Sequence, residues 1–395
     1  MPPLPERLTR RGFLAGLGAL GSLDRLARAA EGLSPARPEY EGLNAVLIRF
    51  GGGARRQETI DPKGTFSPFL CHELAKRGTL FNNMEISGLK GLDTSHGQGT
   101  LNILTGAYDK YKDVQGAFLG EHFEAKVPTV FERLRAAFDV AEHEALIVNG
   151  EDRRQEEFFS FSSHPDFGQP YRASVLSLYR FKTYLLRRQL AAWDGKAAEL
   201  DKKKSELAKL EDLDYRVKGN RGQSARIESF WEKWRSYWGD SGLVNPRGDR
   251  LLTELSLWAL RELKPRLMIV HYNDCDYVHW GNASHYTRGI SIMDDGLRQL
   301  VSAVEADPFY RDRTVFFVMP DCGRDDNQLK AVPFQHHFNS RSAHEVFALL
   351  AGPGVAAGRV IGRPTQQIDI APTLGRLMGF AMPHAQGEPL REAFS

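Results

Sequence analysis

Three short stretches of the 395-residue chain carry side chains that could bind a cation or an anion. The first is "VHYNDCDYVHWGN", in which Asp274, Asp276 and His279 follow an apolar run. An aspartate and a histidine three residues apart on a loop can place an oxygen and an imidazole on one divalent ion. The second is "VMPDCGRDD", where another apolar run stops on Asp321 and is followed at once by Cys322 and Arg324. The third is "FQHHFNSRSAHEVFALLAGPG", which offers His336, His337 and His344. A single histidine of this kind is most often a satisfied polar residue. Three clusters of similar ligand chemistry, each beside a predicted strand, point instead to a metal site.

The elements that must position these residues alternate. "LNAVLIRFGGG", "ALIVNG", "RLMIVHY", "TVFFVMP" and "HEVFALLAGPG" read as buried strands. "SPFLCHELAKRG", "TVFERLRAAF" introduced by Pro128, "RLLTELSLWALRELKP" and "ISIMDDGLRQLVSAVEAD" have helical spacing. Strands separated by helices imply an α/β fold with a mostly parallel sheet covered on both faces, and ligands beyond the carboxyl ends of its strands. Residues 170–250 break the alternation with long charged helices, where Leu200, Leu207 and Leu210 share one face and Trp231, Trp234 and Trp238 share another. This stretch is predicted to be a helical insertion, docked by aromatic packing or placed as a lid.

Composition excludes several classes. With 52 basic and 50 acidic residues, the net charge of +2 gives no field that would favour nucleic acid or an anionic membrane. Cys71, Cys275 and Cys322 are too few and too scattered for a disulfide framework. Residues 1–30 have paired arginines, Arg10 and Arg11, ahead of a short Gly/Ala/Leu stretch and Ala27-Arg28-Ala29. That pattern predicts a twin-arginine export signal, hence a periplasmic or extracellular protein that crosses the membrane folded, without stable insertion afterwards.

Segment 267–380 resembles the metal-binding half of the alkaline phosphatase superfamily. The resemblance rests on Asp276 with His279, Asp321 with Gly323, His336/His337, and the closing "GPGVAAGRVIGRPTQQIDIAPTLGRLMG". "NAVLIRFGGGARRQE" is similar to that superfamily's first strand, and "TSHGQGTLNILTGAY" to its nucleophile helix. The resemblance implies a three-layer α/β/α sandwich over residues 40–395 and a hydrolase of phosphate or sulfate esters that uses one or two divalent ions, zinc foremost. It assigns Asp276, His279 and His337 or His336 to one ion, with Asp274 as a further candidate, and Asp321 to a second.

The second set departs from the pattern. Gly52 stands where the superfamily places an aspartate, and Cys322, whose thiolate could still bind an ion such as zinc, where it places a histidine. The nucleophile position falls on His96, with Ser95 and Thr94 adjacent. A covalent intermediate on His96 and a register shift to either hydroxyl both stay open. Arg55, Arg56 and Arg324 are candidate anion clamps, because guanidinium pairs bidentately with phosphate-like oxygens. The formylglycine sulfatase signature Cys-x-Pro-Ser-Arg is absent. Two functions follow: an exported metal-dependent ester hydrolase acting on a small anionic substrate, or an inactive relative of the same fold that serves as a binding or scaffold protein.

Overall fold

The apolar run Asn44–Phe50 forms β1, buried along its whole length. Such a strand sits inside a sheet covered on both faces, where alternation of polar and apolar residues gives way to continuous burial. The computed structural model describes residues 37–87, 94–114, 123–151, 153–214, 216–217, 224–240, 248–279, 282–325, 334–336 and 340–394. The predicted export segment 1–30 and His337 lie outside these residues. The chain divides into Met1–Glu39 and Tyr40–Ser395, and every element below belongs to the second unit.

The remaining strands are β2 (Gly78–Glu85), the pair β3 (Tyr111–Asp113) and β4 (Phe123–Ala125), then β5 (Ala145–Asn149), β6 (Ser174–Leu176), β7 (Leu267–His271), β8 (Thr314–Pro320), β9 (Glu345–Ala351), β10 (Arg359–Ile361) and β11 (Thr365–Gln366). Nine of them form one sheet in the order β10-β2-β9-β8-β1-β7-β5-β6, with β11 also on β2. β1 pairs in parallel with both β7 and β8, and β5 with β7 and β6. β9 pairs antiparallel with β8 and with β2. It therefore runs against the other described strands of the sheet. The carboxyl ends of β8, β1, β7 and β5 lie side by side along one edge.

The principal helices are α1 (His96–Thr105), α2 (Val130–Ala137), α3 (Leu178–Ala191), α4 (Ala197–Glu211), α5 (Ala225–Trp238), α6 (Asp249–Leu263), α7 (Ala283–Ala306) and α8 (Ile370–Met378). They cover the sheet in two layers. Val46, Ile48 and Phe50 of β1 belong to a core shared with α6 and α7, while Ala45 and Leu47 belong to one shared with α1, α2 and α8. Arg49 has the parity of the second face, so its side chain rises toward α1.

One predicted element differs from the structure. The helix read in "SPFLCHELAKRG" is a π-type turn at Phe69–Glu73 followed by a 3-10 turn at Leu74–Arg77. The buried Asp294 carboxylate accepts the amides of Phe69 and Leu70, which fastens the start of this irregular segment to α7. Gly78 then opens β2, a strand whose Gly and Asn content resembles a loop but whose pairing with β9 and β10 gives it partners on both sides. Helix α2 begins with a capping box built by Thr129 and Glu132, one residue after Pro128.

Within residues 170–250, Ser174–Leu176 is a strand of the main sheet, and the helices α3, α4 and α5 follow it. Trp231 and Trp234 are buried against Phe181, and Trp234 also meets Trp258 of α6 at 5.5 Å between ring centroids. Helix α4 buries none of its residues; Leu200, Leu207 and Leu210 are half-buried.

Candidate metal centre

Helix α1 brings His96 to the carboxyl edge of the sheet. Ser95 caps the helix by accepting the Gln98 amide, and Gly106 ends it in the left-handed conformation. Gly99 lets the helix rest directly on the end of β8, since a Cβ there would lie 2.0 Å from the Asp321 carbonyl oxygen. From this position the His96 ring spans two carboxylates. Its Nε2 lies 2.7 Å from Asp276 Oδ1, beyond β7, and its Nδ1 lies 2.8 Å from Asp321 Oδ2, beyond β8.

Around Asp276 the donors are imidazoles. His279 Nε2 is 2.9 Å from the same Oδ1, and His336 Nε2 is 3.5 Å from it. The ligand atoms of His96, Asp276, His279 and His336 all lie within 4.8 Å of one another. Their spacings from Asp276 bracket the edge of about 3.3 Å expected for a tetrahedron built on bonds of about 2.0–2.1 Å. Three imidazoles and a carboxylate are a borderline donor set suited to zinc, so the residues fit the cation implied by the sequence. Gln335 Oε1 lies 3.0 Å from His279 Nδ1, which turns Nε2 inward. The Asp276 and His279 side chains keep 28% and 21% exposure, so the centre opens to solvent.

Around Asp321 the donors are different. Its Oδ1 accepts the amides of Gly53 and Cys322 at 3.2 and 2.8 Å, and its Oδ2 accepts the Gly52 amide at 3.3 Å. The buried Arg49 guanidinium lies 3.6 Å from Oδ2 and 3.0 Å from Glu151 Oε2, and it also donates to Thr100 of α1. Burial alone would neutralise these groups. For His96, burial is outweighed by the two carboxylates, which raise its pKa well above the ordinary imidazole value. For Asp321, burial is outweighed by His96 and Arg49, which hold it below the usual carboxylate range. Burial pushes the Cys322 thiol up to about 11, and its Sγ lies 3.9 Å from His96 Nδ1.

The other candidates fall in several places. Asp274 turns its Oδ1 to the Asp249 amide at the start of α6, while Asp249 accepts the amides of Asn273 and Asp274. This reciprocal pair shapes the loop that presents Asp276. Arg324 is fully buried and donates to the carbonyls of Gly53, Cys275, Val278, Phe334 and Gly52, binding three strand-end loops together. Arg55 pairs with Glu58, and Arg56 donates to the carbonyls of Met84 and Val346. Thr94 Oγ1 donates to the His336 carbonyl. Arg49, Glu151 and Gln335 were not singled out in the sequence. A charged residue inside the apolar run "NAVLIRF" was the available signal for Arg49.

No family model matches the chain, and no curated protein matches it by sequence. Solved structures do match. A protein of the alkaline phosphatase superfamily from Vibrio parahaemolyticus shares 14% identity over 91% of this chain and 72% of its own, with a TM-score of 0.50. Wild-type alkaline phosphatase PafA shares 10% over 91% and 100%, with a TM-score of 0.52. The chain has the alkaline phosphatase superfamily fold. A sulfatase, PsFucS1 from Pseudoalteromonas sp., shares 14% over 95% of this chain and 76% of its own, at a TM-score of 0.52. Phosphatase and sulfatase alike thus carry the superfamily architecture seen here, and the cluster around Asp276 lies beyond the carboxyl ends of its parallel strands.

Proposed function

We propose that the chain is an exported, metal-dependent hydrolase of phosphate or sulfate esters. The observation that carries this reading is the convergence of His96, Asp276, His279 and His336 within 4.8 Å at the solvent-facing edge of a superfamily sheet. These four residues would hold a divalent ion, with zinc the best match to their donors. When bound, such an ion polarises a phosphoryl or sulfuryl oxygen and makes a water acidic enough to attack near neutral pH.

The chain's own residues supply position. Asp321 and Gln335 hold the Nδ1 atoms of His96 and His279, so that both rings present Nε2 toward Asp276. Both nitrogens of His96 face carboxylates, which favours an anchoring role over a covalent one. Ser95 Oγ caps α1 and Thr94 Oγ1 bonds a carbonyl, which favours water as the nucleophile. Export rests on Arg10-Arg11 and the apolar stretch after them; among the described residues no helix is long and apolar enough to cross a membrane.

A second reading, a metal-stabilised binding or scaffold protein, is favoured by one feature: four protein donors can complete a tetrahedral shell as structural zinc sites do. Zinc-loaded protein assayed with aryl phosphates and aryl sulfates separates the two. Turnover that disappears in His279→Ala supports the hydrolase. Inertness toward both ester classes, with metal retained and thermal stability lost on chelation, supports the scaffold.

A further inference from the structure

The Asp321 carboxylate is fully engaged as a hydrogen-bond acceptor. A carboxylate offers roughly four lone-pair sites. Here Oδ1 takes the Gly53 and Cys322 amides, and Oδ2 takes the Gly52 amide and His96 Nδ1. That count leaves no lone pair for a metal. Arg49, 0% exposed, adds a fixed positive charge 3.6 Å from Oδ2 and is itself held by Glu151 at 3.0 Å. A divalent ion lodged beside Asp321 would have to displace the imidazole or an amide and sit next to a buried guanidinium.

Two further observations agree. Gly52 has φ +82, and a Cβ at that position would lie 2.2 Å from the Asp276 amide nitrogen. An acidic side chain could enter there only if the β1 and β7 loops moved apart, so the end of β1 contributes amides to Asp321 and no carboxylate to an ion. Cys322 Sγ approaches His96 through Nδ1, the nitrogen already facing Asp321. The grouping of His96, Asp321 and Cys322 is close enough in space to suggest a second metal site. Within it, however, His96 Nδ1 and Asp321 Oδ2 are bonded to each other, and the other acceptor sites of Asp321 are filled by amides.

We propose that the centre is mononuclear: Arg49 takes the place of a second cation, and Asp321 is a positioning residue that orients His96 toward a single ion held with Asp276, His279 and His336. The arrangement is a carboxylate–histidine–metal relay, in which the outer carboxylate fixes the tautomer and raises the basicity of the ligating nitrogen. The proposal rests on the metal site of the preceding section, yet it can fail separately from it.

The test uses the full chain, stripped with chelator and reloaded with zinc or cobalt(II). Elemental analysis of the wild type should give one metal per chain. Asp321→Asn should keep that stoichiometry, weaken zinc binding by about 10–100-fold and shift the cobalt d–d spectrum, because a misaligned His96 alters the ligand field. Cys322→Ser should change neither affinity nor spectrum, and the wild-type cobalt protein should show no thiolate charge-transfer band. Two metals per chain, a fall from two to one in Asp321→Asn, or a thiolate band that vanishes in Cys322→Ser would each overturn the proposal. The wild-type count and the cysteine variant decide the matter even if Asp321→Asn does not fold. One metal without turnover would sink the hydrolase and leave this inference standing. Two metals with turnover would do the reverse, and no metal would sink both.

Discussion

Asp276 and Asp321 follow strands on either side of β1, share His96 as a neighbour, and are both held below the usual carboxylate range against the effect of burial. Their other neighbours differ in kind. Those of Asp276 are imidazoles, which become ligands when they lose a proton. Those of Asp321 are backbone amides and a guanidinium, which keep their protons at any physiological pH. One carboxylate sits among groups that can trade protons for a metal. The other sits in a fixed cradle. Ligand type alone does not mark a metal site; the exchangeability of the surrounding protons does.

The largest effect should come from breaking the fixed cradle. Arg49→Met leaves Glu151 and Asp321 buried without their guanidinium, and loss of one partner from such a network costs about 3–5 kcal/mol. Urea unfolding of the metal-free protein measures this. A loss below about 1 kcal/mol would mean that the amides and His96 suffice to hold Asp321, and the contrast with Asp276 would weaken.

On the exchangeable side, His279→Ala removes a proposed ligand rather than a partner of one. Its zinc affinity should fall by more than the about 100-fold upper range for outer partners, and the rise in Tm on adding zinc should disappear. Calorimetric titration checks both. Affinity kept within about tenfold would show that His279 does not ligate.

Asp294 tests whether amides suffice. Like Asp321, which accepts three backbone amides, it is buried and accepts amides, here two, from Phe69 and Leu70. Unlike Asp321, burial outweighs those bonds and pushes its carboxyl up to about 6. The unfolded value is about 3.9, so between the two the folded state binds more protons and stability falls as pH rises. The protonated carboxyl's contribution should be complete below about pH 4 and lost through about pH 6, a change of ~2–3 kcal/mol. Asp294→Asn should flatten that part of the stability curve. An unchanged curve would mean that the amides keep Asp294 ionised, and Arg49 would then be superfluous for Asp321.

Much of this was legible in the sequence. The continuous apolar runs gave β1, β5, β7 and β8 because buried parallel strands need no alternation, and the strand-end loops of aspartate and histidine hold candidate donors that lie together in space. What stayed hidden depends on contacts far apart in the chain. Arg49 and Glu151 are separated by 102 residues, and Arg324 serves carbonyls up to 272 residues away. Nothing local distinguishes an arginine that faces an anion from one that faces backbone oxygens. His96 was visible as a candidate, but its role between two carboxylates required α1 to be seen resting on β8 through Gly99.

The smallest effect concerns Ser95, the hydroxyl nearest His96 in sequence. Its Oγ accepts the Gln98 amide as the cap of α1, so Ser95→Ala should cost about 1 kcal/mol of stability. The helix is also held by Gly99 against Asp321 and by Thr100 against Arg49, so loss of the cap should leave His96 in place. Zinc affinity should then change by less than about threefold, and ester turnover should persist. If turnover vanished while zinc stayed bound, the hydroxyl would be the nucleophile and the cap a resting arrangement. The two carboxylates would then differ in a further respect, with Asp276 holding the ion on which that hydroxyl acts and Asp321 still supporting His96 from behind.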